Sequence, residues 1–407
     1  MALEKGKALV LGRNYCNILT TVRLLGEAGY ASKILKVHKT RPGKLKFLRT
    51  MAPDSKSRYL LEYREVVASE ESTVDEIIKM AEGESKKMLL LPVDDYSVYV
   101  CDEAYDKLKE WFVIGNINDT EGEINRLMDK SIQKEEAGKL GLNILKNWTV
   151  KSEGGSYVLP EGIIYPCFIK PNVSMASTKD RMKRCDSEDE LRETLDKYLA
   201  KGPFDILIEE FADIKQEYSL LGVATDTEAI APGIFKATLG GHHERKGVAV
   251  TGVTVDPDLI PYMNHMVKGC CQLVKALGYE GIFDIDLIET KDGQLYFVEV
   301  NFRAGASIYA FRHGSENLIG AFADYMLQGE ALDKDKYEFE KGKTFVSEKV
   351  LMEEYVRGDL SKKDFDELMA EADIGFVQSD EDPAPFKEFK KYYIPAALLR
   401  AAYKVKG

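Results

Sequence analysis

Apolar residues along this chain come in short runs separated by stripes of helical period. KALVLG, Lys7 to Gly12, is unbroken and short enough for a buried strand. The next stripe, about Cys16 to Glu27, has helical spacing and stops at Gly29. SKILKV, MLLLPV (Met88 to Val93) and WFVIG (Trp111 to Gly115) read as further strands. Strands alternating with helical stripes predict a parallel α/β domain over residues 1–115. A helix is predicted from about Glu121 to Leu140, with Gly141 as its C-cap. ILKNWTV and YPCFIKPN are strand-like, and a charged helix should run from about Ser187 to Ala200. Beyond Gly202-Pro203 the texture changes. ILIEEF, YSLLGVAT, GIFKAT and VAVTGVTV follow closely, the pattern of an antiparallel sheet. Helices from about Asp256 to Leu277 and from about Glu316 flank the segment FDIDLIETKDGQLYFVEVNFRAG. Residues 331–407 are strongly charged and read as an extension, with a helical piece SKKDFDELMAEA and a loop SDEDPAPF.

The segment from Phe283 to Gly305 breaks the pattern, because acids stand where a buried strand wants apolar residues. Asp292-Gly293 is a two-residue hairpin signal, since both positions tolerate positive φ. A hairpin closed there sets Asp286 opposite Glu299 and Asp284 opposite Asn301, all four on one face. Opposed side chains start roughly 5 Å apart at Cβ. Carboxylates so placed repel unless neutralised. A hard cation such as Mg²⁺ would do that with oxygen ligands, keeping positions for phosphates. The other reading is a hairpin whose polar face is simply wet.

Composition narrows the function classes. With 407 residues, two or three packed domains are expected. The net charge of −12 lacks the basic footprint of a nucleic-acid binder, so no nucleic-acid partner is expected. The apolar runs are too short to span a bilayer, and MALEKGKALVLG lacks a signal-peptide core, so neither a membrane nor export is expected and the location should be cytoplasmic. Six cysteines form no C-x-x-C pair, and the turn GRNYCN is not a dinucleotide fingerprint.

Four motifs in order carry a resemblance: MDKSIQKEEAGKLGL, CFIKP, ILIEEFADIKQEYS and FDIDLIETKDGQLYFVEVNFR. Together, over roughly residues 116–330, they resemble the ATP-grasp superfamily, which includes carboxylate–amine ligases, biotin carboxylase and carbamoyl-phosphate synthase. The fold this implies is mixed α/β and α+β. A parallel α/β domain (1–115) would precede a two-subdomain grasp module (116–330), with a small lid over about 145–203 and a large antiparallel sheet over about 204–330. The resemblance implies ATP and Mg²⁺ as cofactors, with Mn²⁺ an acceptable replacement. Lys130 and Lys170 match the family's phosphate lysines, although Lys130 also reads as a solvated helix lysine. One of Glu209, Glu210 and Phe211 would present the backbone that reads adenine. Glu217 would bind ribose or face solvent, and Ile288 would floor the base. Asp286, Glu299 and Asn301 match the metal ligands, with Asp284 in reserve. Arg303 matches the arginine that stabilises charge on a transferring group. The loop NVSMASTKD departs from the family's glycine-rich lid, leaving Ser174, Ser177 and Thr178 as phosphate donors.

The resemblance implies a ligase that phosphorylates a small carboxylic acid with ATP and passes the acyl group to an amine. The substrates are then a small carboxylate and an amine. NFRAGASIYAFRHGSENL is similar to amino-acid ligases of the D-aspartate ligase kind. A homodimer is compatible with the family. A bicarbonate-phosphorylating enzyme keeps the chemistry and changes the acid. A non-catalytic ATP-binding protein is the rival of another class, and the full set of metal ligands speaks against it. Substrate contacts would come from the N-terminal domain, GGHHERKG and the C-terminal residues. The loop from Asn172 to Lys179, or the longer one from Leu239 to Gly247, is expected to be poorly ordered without nucleotide.

Overall fold

The computed structural model describes residues 3–38, 52–173, 181–239, 249–254, 260–313, 317–332, 344–393 and 396–397. Ser174, Ser177 and Thr178 of the expected lid, and the GGHHERKG loop, lie outside the described residues.

Five parallel strands form the first sheet: β1 (Gly6–Gly12), β2 (Tyr30–His38), β3 (Leu60–Val67), β4 (Met88–Pro92) and β5 (Phe112–Ile114). Their order is β3-β2-β1-β4-β5, so the chain reverses direction across the sheet between β1 and β4. Ligands of open α/β sheets bind at the carboxyl ends of strands flanking such a point. β3 and the helix Glu70–Ala81 have no counterpart in the sequence reading. β3 is an edge strand whose eight residues are all exposed or half-exposed, so no apolar run marks it.

The second sheet is small and antiparallel: β6 (Asn147–Lys151), β7 (Cys167–Pro171), β8 (Lys183–Cys185) and β9 (Asp205–Glu210), ordered β6-β9-β7-β8. The helix Glu188–Leu199 covers it, with Ser187 as its N-cap and Leu191 and Leu195 in the core.

The third sheet holds β10 (Ile214–Ala224), β11 (Ala229–Leu239), β12 (Ala249–Thr254), β13 (Gly281–Thr290), β14 (Leu295–Asn301), β15 (Thr344–Val346) and β16 (Ile374–Gly375). The order is β14-β13-β10-β11-β12-β15-β16. Residues 331–407, read as an extension, thus supply two strands of the large sheet. They are pinned from two sides. Arg23, fully buried, binds Asp382 and the carbonyls of Phe376, Val377 and Asp382. Glu348 accepts the backbone N–H groups of Phe376, Val377 and Gln378 at 2.9, 3.0 and 2.8 Å. One apolar core joins the first and third sheets, since Val10, Leu25, Leu221, Phe322 and Phe345 share it. Among the described residues, no helix is long and apolar enough to cross a membrane.

The helix expected over Glu121–Leu140 is two helices, Glu123–Leu127 and Lys130–Lys139. Asp129 breaks it, because its side chain accepts the N–H groups of Ser131 and Ile132 and so starts a new helix. Gly141, at φ 78°, follows the second helix in the left-handed conformation that ends it.

The hairpin departs from expectation in an instructive way. Its turn has three residues, not two: Gly293 N–H donates to Thr290 O, and Thr290 N–H to Gln294 O. Gly293 sits at φ 83°, as such a loop requires. Taken alone, this would shift the strands by one position and turn Glu299 toward the core. A bulge at Val298 restores the register, with Leu287 opposite Phe297 on one side of it and Asp286 opposite Glu299 on the other. Phe297 and Leu287 are therefore buried, while Val298 and Glu299 both face the cleft.

Candidate active site

A cleft of about 620 Å³ lies between the three sheets. Lys130, Lys170, Glu209, Glu210, Phe211, Glu217, Asp284, Asp286, Ile288, Glu299, Asn301 and Arg303 all line it. These are the candidate site residues named from sequence, apart from those outside the described residues. Asn17 and Asp95 join them from the β1 and β4 ends, and Phe345, Ser347 and Phe376 from the C-terminal strands.

Local bonding explains how the two lysines arrive together. Asn172, just past β7, binds Asp129 through Nδ2 at 2.8 Å and accepts Ser131 N–H, while its carbonyl accepts Lys130 N–H at 3.0 Å. The start of the helix Lys130–Lys139 is thereby tied to the end of the strand carrying Lys170. Farther along the helix, buried Gln133 donates to Val300 O at 2.9 Å and accepts Val300 N–H at 2.8 Å. Its amide pairs with the open edge of β14 beside the bulge, which fixes the helix against Glu299.

Two ion-pair groups hold the lysines. Lys130 Nζ lies 3.0 Å from Glu299 Oε2. Lys170 Nζ lies 2.7 Å from Glu209 Oε2, and Lys134 Nζ 2.6 Å from Glu209 Oε1. Lys134 had no role in the sequence reading. The available signal was its spacing, four residues from Lys130 and so on the same helix face. Burial opposes ionisation of Glu209, but Lys170 and Lys134 outweigh it and hold the carboxyl at about 2. Burial also pushes the Lys134 ammonium down, in spite of Glu209.

Asp286 and Glu299 stand directly opposite each other. Burial, and then repulsion from Asp284 and Glu299, pushes the Asp286 carboxyl well up. Burial acts the same way on Glu299, yet Lys130 and Lys170 outweigh it and the net shift is down. Asp286 thus lacks the cation that Glu299 has. Its contacts are Ser219 Oγ at 3.4 Å and Asn301 Nδ2 at 3.5 Å, both long. Two opposed carboxylates and an amide are hard donors and fit a cation of the Mg²⁺ kind. Among the described residues, no group of three or more acidic, histidine or cysteine side chains encloses a metal by itself. A cation here would therefore take part of its shell from a ligand or water, as Mg²⁺ usually does.

Asp284 keeps the register expected of it, opposite Asn301, but its partner is Arg303, whose Nη1 lies 3.2 Å from Oδ2. Arg303 Nε also binds Asp95 Oδ1 at 3.1 Å. At the other end, the N–H groups of Glu210 and Phe211 are taken by Lys146 O and Pro166 O. Arg184 stacks 4.3 Å from the Phe211 ring.

Residues 135–307 match the ATP-grasp domain family. Two curated relatives carry the name formate-dependent phosphoribosylglycinamide formyltransferase. The one from Ignicoccus hospitalis is 25% identical over 238 residues, 56% of each chain. The one from a Nitratiruptor species is 25% identical over 183 residues, 44% of this chain and 45% of the relative. The chain spans about half the length of the curated relatives it matches. Among solved structures, an L-amino acid ligase from Bacillus licheniformis superposes with TM-score 0.61 at 14% identity, over 83% of this chain and 79% of that one. The biotin carboxylase domain of Hydrogenobacter thermophilus 2-oxoglutarate carboxylase, in complex with MgADP, ADP and bicarbonate, gives 0.63 at 15%, over 83% and 73%. N5-carboxyaminoimidazole synthetase from Staphylococcus aureus gives 0.58 at 13%, over 83% and 81%. At these identities the likeness is one of fold.

Proposed function

We propose that this chain, which carries an ATP-grasp domain across residues 135–307, is an ATP-dependent ligase that activates a small carboxylic acid as an acyl phosphate and joins it to an amine. The observation that carries the reading is the meeting, in one cleft, of two lysines from different elements with an opposed carboxylate pair that has one cation too few. Lys130 and Lys170 would leave their carboxylate partners for the phosphates of ATP. Lys134 stays on Glu209 and keeps that carboxylate neutralised when Lys170 moves. Glu210 and Phe211 have already spent their N–H groups, so the adenine edge would be read by the next one, from Ala212, and by the carbonyls before it. Ile288 supports the base and Glu217 accepts from the ribose hydroxyls. Asp286, Glu299 and Asn301 would hold Mg²⁺, which neutralises the phosphates and polarises the transferring group. Arg303 faces the same cleft and stabilises negative charge on the acyl phosphate.

Mg-ATP is expected to raise the melting temperature, since a ligand that binds only the folded state contributes about 2.7 kcal/mol at a hundredfold excess over Kd. Absence of any shift in nucleotide-free protein would remove the reading. The reaction itself is tested by capture with hydroxylamine, which converts an acyl phosphate to a stable hydroxamate. Hydroxamate should form with ATP, Mg²⁺ and one acid from a panel of amino acids and formate. Formate belongs in that panel because the curated relatives are named for it. ADP release that depends on bicarbonate, with no hydroxamate from any acid, would instead favour carboxyphosphate chemistry.

A further inference from the structure

Asp95 is the first residue of the helix Asp95–Glu103, at the carboxyl end of β4 and beside the reversal point of the first sheet. It was absent from the sequence reading. Arg303 reaches it across the cleft and holds Asp284 with its other arm, at 3.1 and 3.2 Å. One guanidinium thus serves two carboxylates. Two further observations show that this group is incomplete. Asp284 is about nine-tenths buried, and among the described residues nothing donates to its Oδ1. Asp95 keeps a third of its side chain open. Gly305 packs against the same carboxylate: a Cβ there would stand 2.6 Å from Asp284 Oδ2 and 3.4 Å from Ser307 Oγ, closer than the carboxylate oxygen tolerates.

A buried carboxylate oxygen without a donor is costly, and two carboxylates that share one guanidinium have room for a further group that carries N–H donors. A divalent ion suits the place poorly, because the Arg303 guanidinium already sits against Asp284. A primary ammonium suits it well, with a single charge and three donors for Asp284 Oδ1 and the open side of Asp95. We propose that Asp95, Arg303 and Asp284 form the docking site for the ammonium group of the amine substrate, with Asp95 as a specificity-determining residue. The proposal rests on the ligase reading above. It sets the incoming nitrogen about 7 Å along β13 from Asp286, two residues away on the same strand face and next to the place where the acyl phosphate would form. Attack needs the neutral amine: the ammonium releases one proton to solvent past the open side of Asp95, its lone pair forms the C–N bond, the C–O bond to phosphate breaks, and inorganic phosphate leaves with a second proton from the nitrogen.

Hydroxylamine separates docking from activation. It is uncharged near neutral pH and needs no ammonium site, so its capture reports acyl phosphate formation alone. The full chain is given ATP, Mg²⁺ and each acid of the panel, with either hydroxylamine or pooled amino acids as acceptor, and products are read by mass spectrometry. Asp95→Asn should lower the ratio of amide to hydroxamate by at least about thirtyfold, the usual scale for losing one partner of a buried charge pair. The loss should appear as a higher KM for the amine, and Asp95→Glu should recover part of it. Asp284→Asn should move the same ratio in the same direction. An unchanged ratio in Asp95→Asn overturns the proposal, whether both yields persist or both fall together, since the second outcome makes Asp95 a support for Arg303 only. No hydroxamate from the wild-type protein would instead overturn the ligase reading itself.

Discussion

Glu299→Gln should lower ATP-dependent ADP release by about a thousandfold, the upper range for removing one charge-stabilising group from an active site. The substitution keeps the side chain's shape and its place past the bulge. It removes the charge that holds Lys130 at 3.0 Å and half of the carboxylate pair opposed across β13 and β14. Stability should fall modestly. Burial penalises the Glu299 charge and Glu299 repels Asp286, but Lys130 and Lys170 outweigh burial and the net shift of Glu299 is down, so its ionised form contributes stability that the amide loses. A fall in turnover of this size in a variant that still unfolds cooperatively above the assay temperature distinguishes a functional carboxylate from a structural one. Near-normal ADP release from the folded variant would make this pair a wet sheet face and nothing more.

How much of this site the sequence could reveal depends on the range of the interactions involved. The opposition of Asp286 and Glu299 was legible because a hairpin is local and its parity follows from the strand period. Even so, two departures cancelled: the turn is one residue longer than Asp292-Gly293 suggests, and Val298 bulges to compensate. An alternating pattern cannot reveal a bulge whose extra residue is itself apolar. Lys170 was legible as chemistry, since a lysine ending an apolar strand needs a partner, whereas Lys130 was legible only through the family resemblance. Their partners were not, because Glu209 and Glu299 come from other elements. Asp129 was available as a helix start, but the charged stretch around it reads as one continuous helix. Asp95 and Lys134 gave the weakest signals. Asp95 matters only because the end of β4 lies against the residues just past β14, where Arg303 reaches it from more than two hundred positions away. The C-terminal residues misled by their charge. Their strands, β15 and β16, are three and two residues long, too short to leave a period, and what fixes them is a partner at the opposite end of the chain.

That partner is Arg23, and Arg23→Met should cost about 3–5 kcal/mol of stability, the range for breaking a buried ion pair from one side. Its side chain is wholly buried in the helix Tyr15–Glu27 and donates four hydrogen bonds to residues 376–382. Asp382 is as deeply buried and also accepts from Ser57 Oγ and Arg58 N–H. Without the guanidinium, that buried carboxylate loses its counter-charge and three carbonyls lose a donor. The effect should extend to the cleft, because the carbonyl of Phe376 is one of Arg23's acceptors and the Phe376 ring stacks on Phe345 at 5.3 Å, both rings lining the cleft. On heating the variant, ADP release should therefore fail at a lower temperature than the far-ultraviolet signal, as residues 344–390 loosen before the sheets they join. Urea unfolding gives the total cost. The double variant Arg23→Met/Asp382→Leu, which removes the ion pair from both sides, should regain at least half of it. A loss below about 1 kcal/mol in Arg23→Met would place it with ordinary surface pairs and end the case for this tether.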